Sequence, residues 1–176
     1  LHRAISNGGY ELENVIETLS PSMDIQVASN FERLLYDLND GDDLQTIDAM
    51  KNIKEKGKYI INQEKLDKIN ANFLSSRMSE EEVLNTIKDV YKKFNIVLDP
   101  HTAIGYGAFD KINLDGNNIV LATAHPCKFP DAIKKAIDIK ADLPKELMFV
   151  MDEKENYDIV DNDVKKIKHH IKERIQ

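Results

Sequence analysis

Apolar residues recur at three- and four-residue steps over much of the chain, so most of it predicts amphipathic helix. Phe31, Leu34, Leu35 and Leu38 share one face, with Asn30 as the expected cap of a helix starting at Phe31 and Asn39, Asp40, Gly41 and Asp42 as its stop. A second helix is expected from about Leu44 to Lys56, closed by Gly57. Ser79 with Glu82 forms a capping-box pattern, followed at helical spacing by Val83, Ile87, Val90, Tyr91 and Phe94. Asn95 to Leu98 reads as a short extended run. Asp99 then falls at the N-cap of a helix that Pro100 opens and Ala103, Ile104 and Ala108 continue.

The pattern changes after the turn signal Asn117-Asn118. Ile119, Val120, Leu121 and Ala122 are an unbroken apolar run, which predicts a central strand covered on both faces. Pro126 and Pro130 end extended structure, and Ile133, Ala136 and Ile137 begin another helix. Strand, polar turn and helix in that order indicate an α/β fold, with about two to four strands expected among many helices. The last helix places Val164, Ile167, Ile171 and Ile175 on one side and Lys165, Lys166, Lys168, Lys172 and Arg174 on the other, read as a solvated face. The longest irregular stretch is expected in the opening residues, through Ser22.

Composition narrows the function classes. A chain of 176 residues, 41% hydrophobic and 31% charged, can bury a core and is expected to form a single unit over 1–176. The net charge of −7, with cations interleaved among anions, argues against nucleic acid as a partner. Cys127 is alone and no apolar run reaches membrane length, so no membrane association and a cytoplasmic setting are expected. Leu1 is not a methionine, and a helix-like pattern starts at once with His2, Arg3 and Ala4, so a piece of something longer is expected.

Three polar clusters are candidates for chemistry. Thr123, His125, Cys127 and Lys128 follow the predicted strand, where open α/β sheets bind ligands. The structural alternative has Thr123 bonding locally, His125 capping a turn and Lys128 solvated. Asp99-Pro-His-Thr-Ala-Ile-Gly105 opens a helix whose free amides suit an anion, although an ordinary Asp-Pro start would look the same. Ser20-Pro-Ser-Met-Asp-Ile-Gln-Val-Ala-Ser-Asn-Phe-Glu-Arg33 carries more hydrogen-bonding groups than capping requires. Cys127 and His125 lack a third orienting group for nucleophilic catalysis. His101, His125 and Cys127 lack zinc-ligand spacing, and adjacent His169 and His170 diverge by about 100 degrees on a helix, so no metal is expected.

In this order, the three clusters resemble threonine synthase of the bacterial and fungal type, in the tryptophan-synthase-β-like group of pyridoxal-phosphate enzymes. The resemblance is carried by Ser20 to Gln26 with Ser29 to Leu35, by Asp99 to Gly105, by Thr123-Ala-His-Pro126 with Lys128-Phe129, and by Leu143 to Leu147 with the final helix. Ala122 and Cys127 stand where glycine and alanine are common. No segment matches the family's Schiff-base lysine or its Gly-rich phosphate loop, so a parent extending upstream of Leu1 is expected, with no catalytic residue in this chain.

What the resemblance implies is the helix-rich C-terminal portion of a fold-type II pyridoxal-phosphate enzyme, with a short, mostly parallel sheet covered by helices. It further implies conversion of O-phospho-L-homoserine and water to L-threonine and phosphate in the intact enzyme, the missing N-terminal part being the partner of this one. Thr123 matches the family threonine that meets the pyridine nitrogen of the cofactor. His125 and Lys128 are expected near the ring or the substrate phosphate, and Ser22, Asp24, Asn30 and Arg33 on the substrate side, with His101 and Thr102 as further pocket candidates. The alternatives are a non-catalytic interaction or binding module derived from such an enzyme, and a different pyridoxal-phosphate lyase such as a threonine dehydratase, which the motifs fit less well.

Overall fold

The computed structural model describes residues 1–112 and 114–175 and divides the chain into two compact units, Leu1–Asp142 and Leu143–Gln176. In the first unit the order is α1 (His2–Asn7), β1 (Gly9–Glu11), a 3₁₀ turn (Pro21–Met23), α2 (Ser29–Leu38), α3 (Asp43–Lys56), β2 (Lys58–Ile60), α4 (Gln63–Asn70), α5 (Glu80–Phe94), α6 (Pro100–Ile112), a second 3₁₀ turn (Pro126–Lys128) and α7 (Pro130–Ile137). The second unit holds a 3₁₀ segment (Lys145–Met151) and α8 (Val164–Ile175).

Helix boundaries follow local chemistry. Asp42 caps α3 by accepting from the Gln45 amide, and Gly57 closes it at φ 71, a conformation open to glycine because it has no Cβ. Asn62 caps α4 in the same way through the Lys65 amide. Both arms of the Ser79–Glu82 capping box are formed at the start of α5.

Two hydrophobic clusters hold the first unit. Tyr10, Phe31, Leu35, Ile53 and Ile69 are the larger members of one, which gathers α1 to α4 around the strand pair. Val83, Ile87, Ala103 and Ile133 form the other, packing α5, α6 and α7 together. Ile87 and Ile133 are fully buried there, each worth about 1.5–3 kcal/mol relative to exposure. Val97, Leu98 and Ile104, on either side of Asp99, pack against this second cluster.

The helix-rich α/β class is present, but α1 and β1 occupy opening residues expected to be irregular, and three further local expectations differ. The strand pair is antiparallel, with Tyr10 opposite Tyr59. Its tight approach to α1 is made at Gly8, φ 76, where a Cβ would lie 2.7 Å from the Ile61 carbonyl oxygen. Second, Ile119 to Ala122 forms no strand and has no ladder partner among the described residues, and Ile119 and Leu121 are 87% and 75% exposed. An apolar run becomes a buried strand only when neighbours cover its faces and take its backbone groups, and here only Val120 rests on α6, beside Gly105. Third, α2 begins at Ser29 with Ala28 at the N-cap, so Asn30 lies inside the first turn. Its side-chain oxygen accepts from the Arg33 guanidinium instead of capping, while the Tyr10 hydroxyl holds the Ala28 amide at 3.1 Å.

In the second unit, α8 forms as its spacing predicts. Val164, Ile167, Ile171 and Ile175 are all substantially exposed along it. No helix among the described residues is long and apolar enough to cross a membrane.

Candidate functional site

Asp99 organises the site. Its side chain is fully buried, and its Oδ1 accepts the His101 amide at 2.9 Å and the His101 Nδ1–H at 3.1 Å. Its Oδ2 accepts the Thr102 hydroxyl, and the Thr102 amide reaches both carboxylate oxygens at 3.4 Å. The negative end of Asp99 thus satisfies the first free amides of α6 and sits at the positive end of the helix dipole.

Two neighbouring segments attach to this carboxylate through the residues that follow it. The Ser22 amide donates to His101 Nε2 at 3.3 Å. These two contacts match the ring tautomer that carries its proton on Nδ1, facing Asp99, and accepts at Nε2. On the other side, the Thr123 amide donates to Thr102 Oγ1 at 3.0 Å, and the two threonine hydroxyl oxygens are 3.4 Å apart. The Phe129 ring packs on His101 with centroids 4.7 Å apart.

Ser22, His101, Thr102 and Thr123, from all three polar clusters, therefore form one continuous hydrogen-bonded chain through Asp99. Thr123, an exposed residue, is its outer end. His125 stands two residues on, where its Nδ1 accepts the Cys127 amide at 3.2 Å and caps the 3₁₀ turn; Lys128 is exposed at the end of that turn. Asp24 turns elsewhere, accepting from the Thr18 amide and hydroxyl at 2.8 Å each, and lines a shallow polar cleft with Arg3, Tyr10, Glu13 and Gln26. Asn30 and Arg33 pair with each other on α2, and among the described residues no hydrogen bond connects them to the Asp99 chain.

Asp99 and Phe129 lie in segments that the sequence singles out, Asp99 as the expected N-cap and Phe129 in the Lys128-Phe129 motif, and the structure adds both to the site through their contacts with His101. Among the described residues, no group of three or more His, Cys, Asp and Glu side chains is arranged to hold a metal ion.

At the periphery, Lys111 bonds to Glu82 at 2.7 Å, and together with the Ser79 amide and hydroxyl it lowers the Glu82 carboxyl from the ordinary 4.5 to about 2. Lys135 on α7 similarly holds Glu80 below its ordinary value at 2.6 Å. These pairs tie α6 and α7 to the start of α5.

Comparison with known proteins supplies the class first. A threonine synthase from Brucella melitensis, solved with pyridoxal phosphate bound, superposes with a TM-score of 0.81 at 37% identity over 98% of this chain and 37% of its own. The fold is thus of the α/β kind found in the C-terminal portion of a pyridoxal-phosphate enzyme.

Within that class, the chain resembles the C-terminal part of threonine synthase. A family model described as threonine synthase, C-terminal, matches residues 102–171. Threonine synthase of Pseudomonas aeruginosa is 36% identical over 170 residues, covering 95% of this chain and 36% of its own length. The crystal structure of the yeast enzyme gives a TM-score of 0.76 at 34% identity, covering 99% and 40%. The chain accordingly spans between 36% and 40% of these relatives.

Proposed function

We propose that this chain is the C-terminal part of a threonine synthase, in which the intact protein converts O-phospho-L-homoserine and water to L-threonine and phosphate. The observation that carries the reading is the bond from the Thr123 amide to Thr102 Oγ1, which joins the Asp-Pro-His-Thr helix start to the Thr-Ala-His-Pro segment and leaves Thr123, an exposed residue, at their junction. Resemblance in both sequence and fold supports it. The remainder of the relatives' length, including the lysine and the Gly-rich loop expected from the family, belongs to the part of the parent outside this chain. The reading includes a cytoplasmic setting.

The residues present fit pyridoxal phosphate at Thr123. A pyridine nitrogen calls for a donor that is held in place and reachable, and Thr123 is an exposed residue whose amide is bonded to Thr102. When bound, the cofactor supplies an electron sink for carbanion chemistry. Thr123 would donate its hydroxyl proton to the ring nitrogen in a hydrogen bond without surrendering it, which keeps the ring nitrogen largely unprotonated and moderates electron withdrawal. His125 and Lys128 stand on the same loop, where they would face the ring or the substrate phosphate. Ser22, held at its amide by His101, would present its hydroxyl to the substrate side, with Asp24, Asn30 and Arg33 further out.

The test is Thr123→Val in the intact protein. Valine keeps the volume and branching and removes the hydroxyl, so loss of one hydrogen bond in a dry site costs about 1–3 kcal/mol, roughly tenfold to a hundredfold in turnover. Turnover of O-phosphohomoserine is measured beside thermal unfolding of the same variant. Near-normal turnover refutes the ring role, and a collapsed melting temperature makes Thr123 a structural residue.

A further inference from the structure

The Thr102 hydroxyl carries one proton and two lone pairs, and its neighbours determine how each is used. The proton goes to Asp99 Oδ2, a carboxylate oxygen that can only accept while ionised. Thr102 Oγ1 is therefore an acceptor toward Thr123, and it takes the Thr123 amide at 3.0 Å. The remaining contact, 3.4 Å between the two hydroxyl oxygens, exceeds the roughly 2.5–3.0 Å of a good O–H···O bond. Because Thr102 has no second proton, only Thr123 could donate across that gap, and at this length its proton is free to turn outward.

We propose that Thr102, oriented by the buried Asp99 carboxylate, is a positioning residue that fixes the backbone of Thr123 and makes its hydroxyl an outward donor. A serine at 102 would preserve this polarity, while a valine would remove it with almost no change of shape. Among the described residues Asp99 makes no hydrogen bond to Thr123; its oxygens take the His101 and Thr102 groups. Thr102 is itself buried, so water cannot readily replace its hydroxyl.

The inference rests on the ring role of Thr123 for its consequence in turnover, but its geometric half is tested without turnover. Amide hydrogen exchange at Thr123 is measured by NMR on the 176-residue chain for wild type, Thr102→Val and Thr102→Ser. Thr102→Val is expected to accelerate exchange at this amide about tenfold or more, as loss of one hydrogen bond permits, with Thr102→Ser within about threefold of wild type. Unchanged exchange in Thr102→Val overturns the proposal, as does a serine variant no better protected than the valine one, since the methyl and not the hydroxyl would then hold the loop.

In the intact protein, Thr102→Val is expected to lower kcat more than it raises KM, Thr102→Ser to recover most of kcat, and Thr102→Val/Thr123→Val to fall no further than Thr123→Val alone. Full additivity in the double variant overturns the claim that Thr102 acts through Thr123. If Thr123→Val alone turns over normally, the ring role fails, and the exchange experiment still decides whether Thr102 positions Thr123.

Discussion

Replacing Asp99 by alanine removes four interactions at once: the acceptor for the His101 amide at 2.9 Å, for the His101 ring at 3.1 Å, for the Thr102 hydroxyl, and for the Thr102 amide at 3.4 Å. An N-cap alone is worth about 0.5–2 kcal/mol. A hydrogen bond to a charged acceptor is worth about 1.5–3 kcal/mol, and these four share one carboxylate, so they cannot be summed. Because the side chain is fully buried, water has no easy access to the donors left behind. We expect Asp99→Ala to cost about 3 kcal/mol, with Ser79→Ala, at an exposed capping box, nearer 1 kcal/mol. Urea unfolding of the chain followed by circular dichroism gives both values from midpoints and slopes. A cost for Asp99→Ala no larger than that of Ser79→Ala would refute the view that Asp99 organises the Ser22, His101, Thr102 and Thr123 chain and would reduce it to an ordinary cap.

Two further outcomes follow from the same geometry. Tyr10→Phe leaves the Gln26 carbonyl and the Ala28 amide without the hydroxyl that joins them, both at 3.1 Å, and should cost about 1–3 kcal/mol in urea unfolding; an unchanged midpoint would show that water replaces it. Glu82 has its folded value depressed from 4.5 to about 2, so its contribution is fully present above 4.5 and is lost as pH falls toward 2. Glu82→Gln should flatten the acid limb of stability between those values, and identical acid limbs for the variant and wild type would sink that assignment.

Local signals were legible wherever one short segment settles the outcome. The Ser79–Glu82 box, the Gly57 stop and the Asp99-Pro100 start each depend on residues within four positions, and each appears as expected. Asn30 failed as a cap because Tyr10, 18 residues from Ala28, sets where α2 begins, and no nearby residue announces that. The strand expected at Ile119 to Ala122 needs ladder partners, which periodicity cannot supply. The three polar clusters were visible as composition, but their meeting at Asp99 was not, because His101 reaches back 79 positions to Ser22 and Thr102 forward 21 to Thr123. Spacing along the chain says nothing about such pairings.

The uncovered Ile119 to Ala122 run also bears on behaviour in concentrated solution. Backbone without a ladder partner among the described residues, beside exposed isoleucine and leucine, is the combination on which strands of separate molecules add edge to edge. No lysine or proline interrupts Ile119, Val120, Leu121 and Ala122, and the nearest charge before them is Asp115. The run is one of several exposed apolar places, Ile16, Met151 and Ile159 among the others, and the −7 charge of the whole chain works against association at each of them.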